Sequence, residues 1–212
     1  MLPKGDTIKG DFIFFEDSGY GDKNKSARSM YKPAMNERFA VLSVSTQLPF
    51  DFFLDKASLD EAHREIQTVF DTHQLPNKNI FFLGAGLTGH RALQYIKFIK
   101  RTDKEFQLNI SGIVLCNFTL DWTRKWHQHQ RDIRLNRIDL REPKFINYML
   151  EIHLNGTPKT NPEAYHRFSP YSYSDSKNRN IKVYTSYAIR AYARPLIDYR
   201  LKNLLQNIIR EQ

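Results

Sequence analysis

The stretch that most constrains this chain is Asn79-Ile-Phe-Phe-Leu-Gly-Ala-Gly-Leu-Thr-Gly-His-Arg-Ala-Leu93. Strand-like residues over 79–83 run into a turn built on Gly84, Gly86 and Gly89, and the turn opens directly into helical spacing. Glycines at these positions let the backbone reverse sharply and let the helix start close to the strand. The first turn of such a helix points its N–H groups at whatever sits above the strand end. Spelled literally, the turn is Gly-x-Gly-x-x-Gly, the dinucleotide-binding fingerprint. A strand feeding a helix through a tight glycine turn belongs to an α/β fold, so the neighbouring segments decide what the turn is for.

Those segments alternate. Asp11-Phe-Ile-Phe-Phe15 reads as a short strand, followed by a turn-rich loop, Glu16–Asp22, with polar residues continuing to about Asn36. Phe39–Ser45 is apolar almost throughout, as a strand buried on both faces requires. Ser58-Leu-Asp-Glu61 has the form of a capping box. The helix it opens, 58–72, sets Leu59, Ala62, Ile66, Val69 and Phe70 on one face. After the glycine turn, Ala92, Leu93, Ile96 and Ile99 mark the inward side of a second helix, and 108–116 is a further strand. The order β, β, α, β, α, β implies right-handed crossovers and a mostly parallel sheet with helices on both faces. Residues 119–175 carry Trp122, Trp126, several tyrosines and prolines, and no strand-like run. They read as a mostly helical cap inserted into a single domain spanning 1–212, with Phe145, Met149 and Ile152 on one side of a cap helix over 145–154. Residues 181–190 return to strand character, and a last helix is predicted from Pro195 to Arg210.

Composition narrows the setting. With 41% hydrophobic and 13% aromatic residues, 212 residues can bury a proper core. No apolar run approaches a membrane span, and the first residues lack the apolar centre of a signal peptide. The single Cys116 allows no intramolecular disulfide and suits a reducing compartment, so a cytoplasmic protein with no membrane partner is expected. The net charge of +9 is spread along the chain in no run of five or six like charges, and it reads as a solvated basic surface rather than a nucleic-acid site.

Two readings compete for the glycine turn. A dinucleotide fold carries its fingerprint on the first strand of the unit, with an acidic residue about 20 positions on, at the end of the next strand. Here two strands and a helix precede the turn, and the following strand ends in Cys116-Asn117. The alternative is the nucleophile elbow, Gly-x-Ser-x-Gly. Gly84-Ala-Gly-Leu-Thr-Gly89 followed by His90-Arg-Ala-Leu93, the helix over 58–72 before it and the cap after it resemble the α/β-hydrolases, in particular esterase-like bacterial members, over residues 39–205. Gly86 then stands at the position of the serine and Thr88 at that of a glycine.

The resemblance implies a catalytically degenerate protein, since glycine offers no nucleophile, that keeps a pocket for a small molecule or a partner protein and needs no cofactor. It implies Gly86 as a vacant nucleophile position and Asp121 and Asp198 as candidate acids. Gly84, Leu87, Thr88, Gly89, His90 and Asn117 are the candidate binding residues. The family's histidine follows its last strand, whereas the last histidine here is His166. An active serine-type esterase, in a longer or unmutated form, is the first alternative, and an NAD(P)-binding protein using the Gly-x-Gly-x-x-Gly turn is the second. His127-x-His129 resembles a fragment of a metal site, but without further ligands at suitable spacing it reads as part of a polar cap helix, and no metal is expected.

Overall fold

The computed structural model describes residues 1–3, 7–16, 25–45, 53–102, 106–136, 141–177 and 179–192. The chain divides into two compact units, one built from residues 1–118 with the strand that follows 185, the other from 119–184.

The first unit is a parallel sheet. Its strands are β1 (Gly10–Phe15), β2 (Phe39–Val44), β3 (Ile80–Ala85), β4 (Ile110–Cys116) and β5 (Ala188–Tyr192). They lie side by side in the order β2-β1-β3-β4-β5, and every neighbouring pair is parallel. Three helices connect the first four strands: α1 (Lys25–Asn36), α2 (Lys56–His73) and α3 (Leu87–Arg101). This is the α/β class expected from the alternating pattern, with all pairs parallel.

Side-chain alternation gives the sheet two unlike faces. One carries Ile13, Phe15, Phe82, Ile113 and Leu115, all at most 1% exposed. Tyr95 of α3 lies on this face, 5.4 Å from the Phe15 ring and 5.6 Å from Phe82. α2 joins α3 there through His63, whose Nδ1 is 2.9 Å from the Tyr95 hydroxyl. The other face carries Phe12, which stacks on Phe39 at 4.9 Å and meets Phe81 at 5.8 Å. The crossover through α1 runs toward the β2 edge while those through α2 and α3 run the opposite way. Right-handed crossovers therefore place α1 across the sheet from the other two.

Local chemistry accounts for the element ends. α2 is capped by Asp55, whose carboxylate accepts from the Ser58 N–H at 2.8 Å, so the cap lies three residues before the one predicted. Its inward face is Leu59, Ala62, Ile66 and Phe70, joined by His63, with Val69 half-buried. Gln74 ends it in the left-handed region at φ 50°. α3 is buried on every side from Gly89 to Ile99, including His90, Arg91, Gln94 and Lys97. The polar stretch predicted to run as a loop to Asn36 contains α1, which spans Pro33 and buries Ala34. Within the predicted strand 181–190, residues 181–183 form a turn of 3-10 helix and β5 begins at Ala188. The helix predicted for 195–210 lies outside the described residues.

The second unit is helical: α4 (Trp122–Arg134), α5 (Arg141–His153) and α6 (Pro162–Phe168). Trp122, Leu150, Leu154, Tyr165 and Phe168 are buried in it. His129 Nδ1 donates to Asn147 Oδ1 at 2.9 Å, and Trp126 Nε1 donates to Glu151 Oε1 at 2.8 Å, tying α4 to α5. The Asn180 amide donates to the carbonyls of His166, Arg167 and Ser169 at 2.7–3.0 Å, closing the end of α6. The side of α5 that bears Phe145 and Ile152 faces outward, and Pro143, Asn147 and Leu150 are its buried residues. Among the described residues, no helix is long and apolar enough to cross a membrane.

Candidate functional site

β1 is the point at which the sheet changes winding direction. The chain leaves it toward β2 on one side and later returns through β3 on the other. The carboxyl ends of β1 and β3 therefore flank a topological switch point, the place where open α/β sheets bind ligands. The glycine turn stands at one of these ends and Glu16 at the other.

At the turn, Gly86 adopts φ 55° and ψ −121°, a conformation closed to most side-chain-bearing residues. Its N–H donates to the Cys116 carbonyl at 2.8 Å, so it still belongs to the ladder with β4. Its carbonyl accepts from the His90 N–H at 3.3 Å and so starts the helix. Among the described residues, a Cβ placed on Gly86 would have no heavy atom within 4 Å beyond its own chain neighbours. Gly84 has the opposite surroundings. A Cβ there would lie 2.4 Å from Gly89 Cα and 2.5 Å from Gly89 N, because α3 crosses directly over the strand. The Gly89 position faces Leu115 at 3.2 Å.

Thr88 is committed to the turn itself. Its hydroxyl accepts from the Ala85 N–H and donates to the Ala85 carbonyl, both at 2.9 Å. Leu87 and Thr88 begin the helix, where backbone N–H groups have no intrahelical acceptor. With the macrodipole behind them, these groups favour an oxygen or an anion above the strand end.

Behind the turn sits a polar cluster that the sequence did not single out, His90 excepted. His90 is fully buried, edge-on to Phe53 at 6.3 Å. The Gln94 amide nitrogen lies 3.2 Å from His90 Nε2 and donates to it, which puts the imidazole proton on Nδ1. Arg91, 2% exposed, donates through Nη1 to the backbone carbonyl of Glu16. Glu16 is itself buried, and its Oε1 has no hydrogen-bond partner among the described residues. A guanidinium and a carboxyl are costly to bury, so the presence of Arg91 and Glu16 at the end of β1 marks the switch point. The available signal was the place of Arg91 on α3, between Leu87, Tyr95 and Phe98 rather than on the polar side that His90, Gln94, Lys97 and Arg101 share.

The remaining candidates divide between the end of β4, beside the glycine turn, and the second unit. Asn117 follows β4 at φ 48°, with its N–H on the Tyr192 carbonyl at 2.9 Å and its side chain exposed. Cys116 is a free, half-buried thiol at the end of β4. Asp121 belongs to the second unit and spends both oxygens there. Oδ1 accepts from Arg124 N at 3.0 Å, capping α4, and Oδ2 accepts from Tyr173 N at 2.9 Å. Asp198 lies outside the described residues. His127 is exposed against Trp126, whereas His129 is buried against Asn147, where burial lowers its pKa. Among the described residues, no three His, Cys, Asp or Glu side chains cluster as a metal site would require.

No family model matches the chain, and no curated protein matches it. Among solved structures, wild-type AbyA5 is similar over 99% of this chain and 53% of its own, with a TM-score of 0.52 and 12% sequence identity. The chain thus spans about half the length of AbyA5, and at that identity the likeness is one of fold. Sheet order and this neighbour together define the class: an α/β protein with a parallel five-stranded sheet.

Proposed function

We propose that this chain is an α/β-hydrolase-like protein whose nucleophile position is vacant, and that it retains a small-molecule pocket above Gly86. The observation that carries this reading is the backbone of Gly86. A nucleophile elbow holds its residue in a strained left-handed turn between strand and helix, with the side chain projecting into the site. Gly86 has such a turn, at φ 55° and ψ −121°, and among the described residues nothing but its chain neighbours comes within 4 Å of where its Cβ would stand. Without a side chain there is no oxygen to attack a carbonyl, and the Thr88 hydroxyl is occupied by Ala85. The N–H groups that open α3 survive this loss, so binding of a carbonyl or carboxylate oxygen can outlast catalysis.

The test uses short-chain p-nitrophenyl esters and butyrate. The purified chain is expected to leave the esters intact while butyrate raises its melting temperature. Robust ester turnover by the unmutated chain would overturn the vacancy and favour an active esterase. Titration with NADH and NADPH, followed by nicotinamide fluorescence, separates the third reading. Tight binding there, with no response to butyrate, would make the glycine turn a cofactor loop.

A further inference from the structure

The outward side of α5 has a pattern that neither the sheet nor the glycine turn explains. Its residues Phe145, Tyr148 and Ile152 are 41%, 62% and 57% exposed, although the helix already buries Pro143, Asn147 and Leu150 on its other side. The exposed three are spaced by three and four residues, and Arg141 extends the series by four more. This is the 3-4 spacing of a helix–helix seam. Lys144 and Glu151 lie along one flank of it, seven residues apart.

We propose that α5 is a self-association surface on which two copies of this chain pack antiparallel about a two-fold axis. The choice of occupant follows from the flanking charges. In an antiparallel pair like flanks meet, so Lys144 of one copy faces Glu151 of the second, and the contact occurs twice by symmetry. The seam then layers Phe145 against Tyr148 and Ile152 against the aliphatic stem of Arg141. In a parallel pair Lys144 would instead face Met149, and the charge match would be lost. An anionic membrane would call for cations along both flanks. α5 carries Arg141 and Lys144 against Glu142 and Glu151, with no net charge to offer a lipid surface. Trp126 Nε1 donates to Glu151 Oε1 alone, and Oε2 has no hydrogen-bond partner among the described residues.

The contact is short. A helix of 13 residues spans about 20 Å, so the seam alone falls below a standard interface, and dissociation in the range of roughly 10–100 μM is expected. This proposal is independent of the reading of Gly86. Sedimentation equilibrium of the full chain, up to concentrations about tenfold above that range, tests it. Reversible dimerisation is expected, with Tyr148→Asp weakening it by about tenfold or more. Lys144→Glu should weaken it severalfold, and the swap K144E/E151K should restore it relative to Lys144→Glu alone. A chain that stays monomeric throughout overturns the proposal, as does a dimer indifferent to Tyr148→Asp. A swap that fails to restore association overturns the antiparallel register. Co-sedimentation with phosphatidylserine–phosphatidylcholine vesicles is run in parallel. Vesicle binding by a monomer, lost in Tyr148→Asp, would overturn the proposal in favour of a membrane face. Circular dichroism confirms that each variant is folded.

Discussion

Gly84 and Gly86 are two residues apart and glycine for opposite reasons. At Gly84 the limit is space: the helix backbone at Gly89 occupies the volume of a methyl group. At Gly86 space is open among the described residues and the limit is the dihedral. Gly84→Ala must therefore push α3 off β3, and a loss of about 3 kcal/mol or more is expected in urea unfolding. Gly86→Ala meets no clash among the described residues and carries only the strain of its unusual dihedrals, about 1–3 kcal/mol. A larger loss at Gly86 than at Gly84 would refute this division. The glycines of the turn were legible because close approach and positive φ both select one residue type. The buried pair Arg91 and Glu16 was not. In a sequence, an arginine on an amphipathic helix reads as solvent-facing until the helix is known to be covered on all sides.

Elements were legible where burial is periodic. β2, β3, β4 and the inner faces of α2 and α3 carry their apolar pattern in sequence because the sheet face that meets α2 and α3 is almost fully buried over β1, β3 and β4. α1 has no helical signature in sequence because it is polar, holds Pro33, and is held by tertiary contact with β2 rather than by propensity. On α5 the pattern misled in another way: two apolar sides compete, and the sequence alone does not say which is the core. Asp121 shows how an element can claim a residue that motif reading offers to catalysis. Its two oxygens satisfy the N–H groups of Arg124 and Tyr173 at 3.0 and 2.9 Å. Asp121→Ala leaves both donors without that partner, and a loss of about 2 kcal/mol is expected. Asp121→Asn keeps an acceptor for one of them and should lose less. Equal loss in both variants would indicate that the charge, rather than the acceptor geometry, holds the cap.

For the molecule as a whole, two buried groups on the sheet unit set an unusual dependence on pH. Asp11 on β1 is fully buried, neither carboxyl oxygen has a partner among the described residues, and burial raises its pKa from 3.8 to about 7. Lys97 on α3 is 7% exposed, and burial, aided by the charge of Arg101, lowers its pKa from 10.5 to about 7. Between its unfolded and folded values Asp11 holds a proton in the fold and releases it on unfolding, so stability falls as pH rises from about 4 to 7. Lys97 does the reverse between about 7 and 10.5: the unfolded chain binds the proton, and stability climbs with pH. Each contributes at most about 1.4 kcal/mol per pH unit within its window. Their penalties coincide near neutrality, where many proteins are most stable. Urea midpoints at pH 5, 7 and 9 are therefore expected to pass through a minimum at pH 7. Asp11→Asn should flatten the acid limb, and Lys97→Met, which keeps most of the length of the side chain, should flatten the alkaline one. A wild-type maximum at pH 7, unchanged by either substitution, would overturn the assignment of this pH dependence to Asp11 and Lys97.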